Sequence, residues 1–205
     1  MPDLAALARG LLPPGCAVAA ADPRVLHPLI PGEETAGMVP KRRAEFSAGR
    51  HAARQALAQL GLPAVAIPQG QDRAPVWPAG VAGTITHCDG ACLAAVSVGM
   101  RGLGLDLEPD RPLDPQIHNL VLLPEDEVAD PANPALVAFC AKEAAYKAQY
   151  ALSRMLFGFD RLILRAGPEG FTATFREETG PFAAGHVLQG RLARSGGFLL
   201  AAAWL

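Results

Sequence analysis

The sequence predicts an α+β protein made of two similar halves, a pseudo-dimer within one chain. Three observations predict it. A helical stretch followed by three apolar runs occurs once, and the same order then returns with three or four runs. Half of the 205 residues are hydrophobic, enough to bury a real core and to exclude a disordered chain. Pro109, Pro112 and Pro115 mark irregular structure between the two series, which meet near residues 100–112, with the division set at 1–105 and 106–205.

The elements follow in order. Residues 1–40 are rich in proline and glycine, with a strand-like run at 16–21. Residues 41–60 form an amphipathic helix. Phe46, His51, Ala53, Leu57 and Leu60 line one stripe, while Arg42, Arg43, Arg50 and Arg54 fall elsewhere. Gly61 and Pro63 end it. A loop over 68–83 holds Arg73, Pro75, Trp77 and Pro78. Strands are expected at 84–88, 92–98 and 102–107, the first two joined by an Asp89-Gly90 turn. Irregular or short helical structure covers the acidic Glu125-Asp126-Glu127. Asn133 as N-cap and Pro134 at the first position open a helix running to about residue 150. The last third reads as a meander with strands at 161–165, 170–175, 186–192 and 198–204.

Composition narrows the function. A formal net charge of −2 gives no global attraction to nucleic acid or membrane, so any anion site is local. No run of eighteen apolar residues appears, and the start lacks a secretory pattern, which points to the cytoplasm. Cys16, Cys88, Cys92 and Cys140 form no Cys-x-x-Cys pair and are expected as reduced thiols, mostly core.

The chemistry concentrates in two stretches. In Gly104-Leu105-Asp106-Leu107-Glu108 the two carboxylates share one strand face and repel unless a cation or proton intervenes. The pattern also suits the solvent face of an edge strand. In Lys142-Glu143-Ala144-Ala145-Tyr146-Lys147, Glu143 and Lys147 lie four apart on one helix face. That spacing also suits an ordinary exposed ion pair. Three carboxylates would meet the oxygen preference of Mg2+. His87 at a strand end is either a structural histidine or a donor to a phosphoryl oxygen. Arg42 and Arg50, eight apart, are either a solvated basic face or a fork for a phosphate.

Together, four segments resemble the 4′-phosphopantetheinyl transferases of the Sfp type, nearest the branch that includes enterobactin-synthase component D. They are Lys41-Arg42-Arg43-Ala44-Glu45-Phe46 with Gly49-Arg50-His51-Ala52-Ala53-Arg54; Pro75-Val76-Trp77-Pro78 with Gly83-Thr84-Ile85-Thr86-His87-Cys88; Gly104-Leu105-Asp106-Leu107-Glu108-Pro109; and Phe139-Cys140-Ala141-Lys142-Glu143-Ala144-Ala145-Tyr146-Lys147-Ala148. The likeness spans residues 41–160, and its last two segments are the specific ones.

The resemblance implies two α+β halves with coenzyme A between them. It implies transfer of the 4′-phosphopantetheine arm to a serine of an apo acyl or peptidyl carrier protein, with release of 3′,5′-ADP. Siderophore, nonribosomal-peptide or polyketide synthesis would be the setting, and the enzyme would be a cytoplasmic monomer. Mg2+, with Mn2+ as an alternative ion, would be held by Asp106, Glu108 and Glu143, the Leu107 carbonyl being a weaker ligand. Glu143, Lys147 and Asp106 would be catalytic, with loss of the serine proton assisted by Glu143 or Lys147. Coenzyme A would meet Arg42, Arg50, Arg73, Ala74, Pro75, Thr86, His87, Asp106, Lys142 and Lys147. The alternatives are a non-catalytic coenzyme A or nucleotide binder and a Mg2+-dependent phosphohydrolase.

Overall fold

The computed structural model describes residues 3–205. Asp3 accepts a hydrogen bond from the Ala6 N–H and so caps α1 (Leu4–Leu11), whose Leu4, Ala8 and Leu11 turn inward at helical spacing. This helix was not among the expected elements. β1 (Ala17–Ala21) follows. Pro40 starts α2 (Pro40–Gln59), and Gly61, at φ 71°, lets the chain turn off its end. α2 lays Ala52, Ala53, Ala56 and Leu57 against a three-stranded antiparallel sheet. That sheet has the order β1-β3-β2, from β2 (Ala82–Cys88) and β3 (Ala91–Ser97). The Asp89-Gly90 turn joins β2 to β3 as expected, with Gly90 at φ 85°.

The second unit runs β4 (Leu103–Pro109), α3 (Pro115–Val121), β5 (Glu127–Val128), α4 (Pro134–Ser153), β6 (Leu162–Ala166), β7 (Gly170–Phe175), β8 (Val187–Ser195) and β9 (Phe198–Trp204). Its sheet has the order β4-β9-β8-β7-β6-β5, antiparallel except for β5 with β6. Pro134 opens α4 as expected, but the Asn133 side chain makes no capping bond. The Asp130 carboxylate instead accepts from the backbone of Ala132 and Asn133.

One expectation is corrected. The third strand of the first half belongs to the second sheet, because β4 pairs with β9 along its whole length, from Leu103 opposite Trp204 to Pro109 opposite Phe198. A division at 105/106 would cut this strand, so the seam lies before it, between Ser97 and Leu103.

β4 is also the hinge of the site. On its free edge, β2 substitutes hydroxyls for a strand ladder. Thr84 and Thr86 share a face of β2, and their Oγ1 atoms accept from the N–H groups of Leu105 and Leu107 at 3.1 and 3.2 Å. On one face of β4, α4 comes unusually close. A Cβ on Gly104 would lie 1.8 Å from the Ala144 carbonyl oxygen, and one on Gly102 would lie 2.2 Å from that of Ala148. Only glycine fits there, facing the buried alanines of α4. On the other face Leu103, Leu105 and Leu107 enter a core shared with α1, Val18 and Leu93 of the first half. Among the described residues no helix is long and apolar enough to cross a membrane.

Candidate active site

Because α4 rides directly on β4, Asp106 meets the helix face that carries Glu143 and Lys147. Asp106 is 4% exposed, which removes the solvent-face reading of this strand. Its Oδ1 accepts from Lys147 Nζ at 2.7 Å and from Thr86 Oγ1 at 3.1 Å. Its Oδ2 is buried with no hydrogen-bond partner. A buried, unpartnered carboxylate oxygen is costly, so it marks a place for a cation or a donor. Lys147 also donates to the Leu105 carbonyl at 3.1 Å.

Glu108 and Glu143 belong to the same electrostatic neighbourhood. Burial, then the charge of Asp106, pushes the Glu108 carboxyl up to about 7. Burial raises Glu143 as well, with the Lys147 ammonium opposing. Burial works against the Lys147 charge, but Asp106 and Glu143 outweigh it and hold this amine above its usual range. Among the described residues no three His, Cys, Asp or Glu side chains already converge as a metal cluster. Lys147 occupies one oxygen of Asp106, and neighbouring carboxylates repel until a divalent ion draws them in. The free Oδ2 and the elevated Glu108 fit a hard, oxygen-seeking cation such as Mg2+. Leu107 contributes a core side chain and an N–H already bonded to Thr86.

The seam opens into a cavity of about 520 Å³. The loop bearing Arg73, Ala74, Pro75 and Trp77 forms one wall, with β2 beside it. Tyr146, Lys147 and Tyr150 of α4, with Arg154 just past its end, form the other. A narrower cavity of about 90 Å³ lies along the same helix, between Glu143, Tyr146, Phe157 and Phe159. A larger open concavity of about 880 Å³ on β5–β8 shares no residue with either, and its only charged lining groups are Glu127 and Arg165, paired with each other.

Other expected ligands divide. Arg42 Nη1 lies 2.8 Å from His87 Nε2 and is also anchored by Glu45. A guanidinium only donates, so Nε2 is the accepting nitrogen and the imidazole proton sits on Nδ1. Burial holds the His87 pKa below its usual value. Arg50 is buried, not part of a solvated face. Its Nε donates to the Ile67 carbonyl, its guanidinium lies 4.0 Å over the Phe46 ring, and its Nη2 is buried without a partner. Arg54 forms a buried pair with Glu33.

Two expectations are corrected. Lys142 is not free for coenzyme A. It is 1% exposed, and its ammonium donates to Asp126 and to the carbonyls of Val121 and Phe159. Asp126 in turn accepts from the N–H groups of Leu123 and Leu164. This knot ties α3, α4 and β6 together. Thr86 likewise spends its hydroxyl proton on Asp106 and positions that carboxylate. Asp72, Tyr146, Tyr150 and Arg154 were missed as cleft residues. Tyr146, Tyr150 and Arg154 sit one helical turn apart beyond Glu143, a spacing that does carry the signal.

Known proteins bear on this geometry directly. The family model described as the 4′-phosphopantetheinyl transferase N-terminal domain matches residues 31–97. The model of the 4′-phosphopantetheinyl transferase superfamily matches residues 102–203. A 4′-phosphopantetheinyl transferase of Mycobacterium tuberculosis is 38% identical over 166 residues, 75% of this chain and 73% of that one. The chain belongs to the 4′-phosphopantetheinyl transferase superfamily. The break between the two family models, at 97 and 102, coincides with the seam ahead of β4. The superfamily member of Nocardia iowensis named 4′-phosphopantetheinyl transferase Npt is 46% identical over 139 residues, covering 63% of each chain. Enterobactin synthase component D of Escherichia coli O157:H7 is 37% identical over 119 residues, 53% of this chain and 55% of that protein. The matched stretch therefore spans less than two thirds of these last two relatives.

Proposed function

We propose that this chain transfers the 4′-phosphopantetheine arm of coenzyme A to a serine of an apo acyl or peptidyl carrier protein, in a Mg2+-dependent reaction that releases 3′,5′-ADP. The observation that carries the reading is Asp106. It is buried at the seam, bonded to Lys147 through one oxygen and unpartnered at the other. The superfamily membership supports the reaction class.

The roles follow from the geometry. Asp106 Oδ2, Glu108 and Glu143 would hold Mg2+, which when bound neutralises pyrophosphate charge and steadies the leaving group. Lys147 stays protonated beside Asp106 and donates to a pyrophosphate oxygen, so it is not the base. Glu143, through the carboxylate oxygen not turned to the metal, would take the serine proton. The serine oxygen then bonds to the phosphorus that bears the arm, and the bond from that phosphorus to the ADP oxygen breaks. His87 donates from Nδ1 to a phosphate oxygen. Arg42 and the free Nη2 of Arg50 hold the 3′-phosphate. Arg73, Ala74 and Pro75 line the adenine side. The first unit thus grips the nucleotide, and the second supplies the metal and proton chemistry.

The test is intact-mass measurement of several apo carriers after incubation with the protein, coenzyme A and Mg2+. A gain equal to phosphopantetheine, absent without Mg2+, is expected. Release of ADP from coenzyme A without a carrier would favour a phosphohydrolase instead, and coenzyme A binding without transfer to any carrier would favour a binder.

A further inference from the structure

The 520 Å³ cavity is crossed at its rim by a contact that the transfer chemistry does not use. Tyr150 Oη donates to Asp72 Oδ2 at 2.7 Å, joining α4 of the second unit to the loop of the first. Arg154 Nη1 stands 3.9 Å from the same oxygen, and its guanidinium lies 5.8 Å over the Tyr150 ring. The Tyr146 and Tyr150 rings are stacked at 5.9 Å. The loop end is stiff. Gly70 and Ala74 are bonded across it, and Asp72 Oδ1 accepts from the Ala74 N–H at 3.0 Å. A Cβ on Gly70 would meet Asp72 Oδ1 at 2.6 Å, so a larger residue there would push the Asp72 carboxylate out of place.

A second, independent observation marks the same rim. Among the described residues only two non-glycine residues have positive φ: Arg73 at 67° and Arg154 at 54°. Both line this cavity. Arg154 is the left-handed C-cap of α4, its N–H bonded to the Tyr150 carbonyl, and Arg73 turns the loop, so a helix end and a loop turn meet at the same rim. From Lys147 to Arg154 the helix rises about 10 Å, so the rim stands roughly a nucleoside's length from the pyrophosphate end.

We propose that Tyr150, Asp72 and Arg154 form a clasp that closes the base end of the cleft over coenzyme A and retains 3′,5′-ADP after transfer. They are positioning residues, remote from the reacting atoms. The inference rests on the transferase reading for the identity of the ligand.

The experiment uses the full chain and two probes, 3′,5′-ADP, which carries the base, and inorganic pyrophosphate with Mg2+, which does not. Binding is followed by calorimetry, and steady-state kinetics are run with a carrier that the wild type labels. Tyr150→Phe removes only the hydroxyl and should weaken 3′,5′-ADP by about fivefold, because the bond to Asp72 is exposed and already formed without ligand, so only part of its worth appears in binding. Pyrophosphate binding should stay within twofold. KM for coenzyme A should rise while kcat holds or increases. Arg154→Gly is the second variant. Glycine suits the left-handed position, so Tm should hold or rise while 3′,5′-ADP binding weakens. Unchanged 3′,5′-ADP binding in both variants, or equal loss of both probes, would overturn the clasp. Wild-type protein that binds 3′,5′-ADP but labels no carrier would instead overturn the transferase reading, and the binding comparison would still decide the clasp.

Discussion

Lys147 Nζ lies 2.7 Å from Asp106 Oδ1, a contact across 41 positions of sequence that joins the catalytic helix to the carboxylate strand. The ammonium already satisfies half of the carboxylate, which leaves Oδ2 as the oxygen open to a metal. That one contact depends on how closely α4 can approach β4.

Gly104 sets the approach. In Gly104→Ala the new Cβ would stand 1.8 Å from a helix carbonyl oxygen, which is backbone and cannot rotate away. Overpacking of this kind costs about 3 kcal/mol or more, so Tm should fall by roughly 10 °C in thermal unfolding. Carrier labelling should fall with it, because Lys147 and Asp106 are pushed apart. A variant with wild-type Tm would refute the close packing.

Thr86 orients Asp106 and also satisfies the buried N–H of Leu107. Thr86→Val keeps the shape and strands that N–H, at a cost of about 1–3 kcal/mol in urea unfolding. Thr86→Ser keeps the hydroxyl and should recover most of the stability. If valine and serine behave alike, the hydroxyl is not the important group.

Lys142 should matter for folding and not for substrate. Lys142→Met leaves Asp126 buried without its cation, and loss of one partner of such a pair costs about 3–5 kcal/mol. In the protein that remains folded, KM for coenzyme A should stay within twofold. A large KM change with intact stability would return Lys142 to the ligand set.

Alkaline stability should depend on Cys92. Burial, then the neighbouring Cys88, pushes its thiol up to about 12 from an ordinary value of 9.0. The folded chain therefore keeps a proton that the unfolded chain loses above pH 9. The contribution is complete below that pH and fades as pH rises toward 12, by up to about 1.4 kcal/mol per pH unit. Lys142, whose pKa burial lowers, works in the opposite sense, so the comparison is with Cys92→Ala. Urea midpoints between pH 8.5 and 10.5 should fall more steeply in the wild type than in the variant. Equal slopes would show that the thiol ionises freely in the fold.

Much of this architecture was legible because its signals are local. Turn residues at Asp89-Gly90, the proline opening α4 and the alternation of apolar runs each place an element without help from the rest of the chain. α1 was legible in principle, from the Asp3 cap and the Leu4, Ala8 and Leu11 spacing, but a proline-rich start obscured it. The sheet to which β4 belongs was not legible, since its partner β9 lies almost one hundred residues away. The carboxylate pair and the Glu143–Lys147 face could be read from strand and helix periods. The burial of Arg50, and of Arg54 against Glu33, could not, because a distant loop supplies their partners. Lys142 misled for a similar reason: its residue type fits the chemistry, but it lies off the α4 face that rests on β4.

The central claim is that Asp106 organises a Mg2+-dependent transfer, and Asp106→Asn tests it most directly. Asparagine keeps the size of the side chain and an oxygen for Lys147, but loses the charge and one carboxylate oxygen. The measurement is the intact mass of an apo carrier after incubation with coenzyme A across a Mg2+ titration. The account predicts phosphopantetheine addition by the wild type, rising with Mg2+, and at least a hundredfold slower addition by a normally folded Asp106→Asn. Labelling by that variant at the wild-type rate and with the same Mg2+ dependence would contradict it.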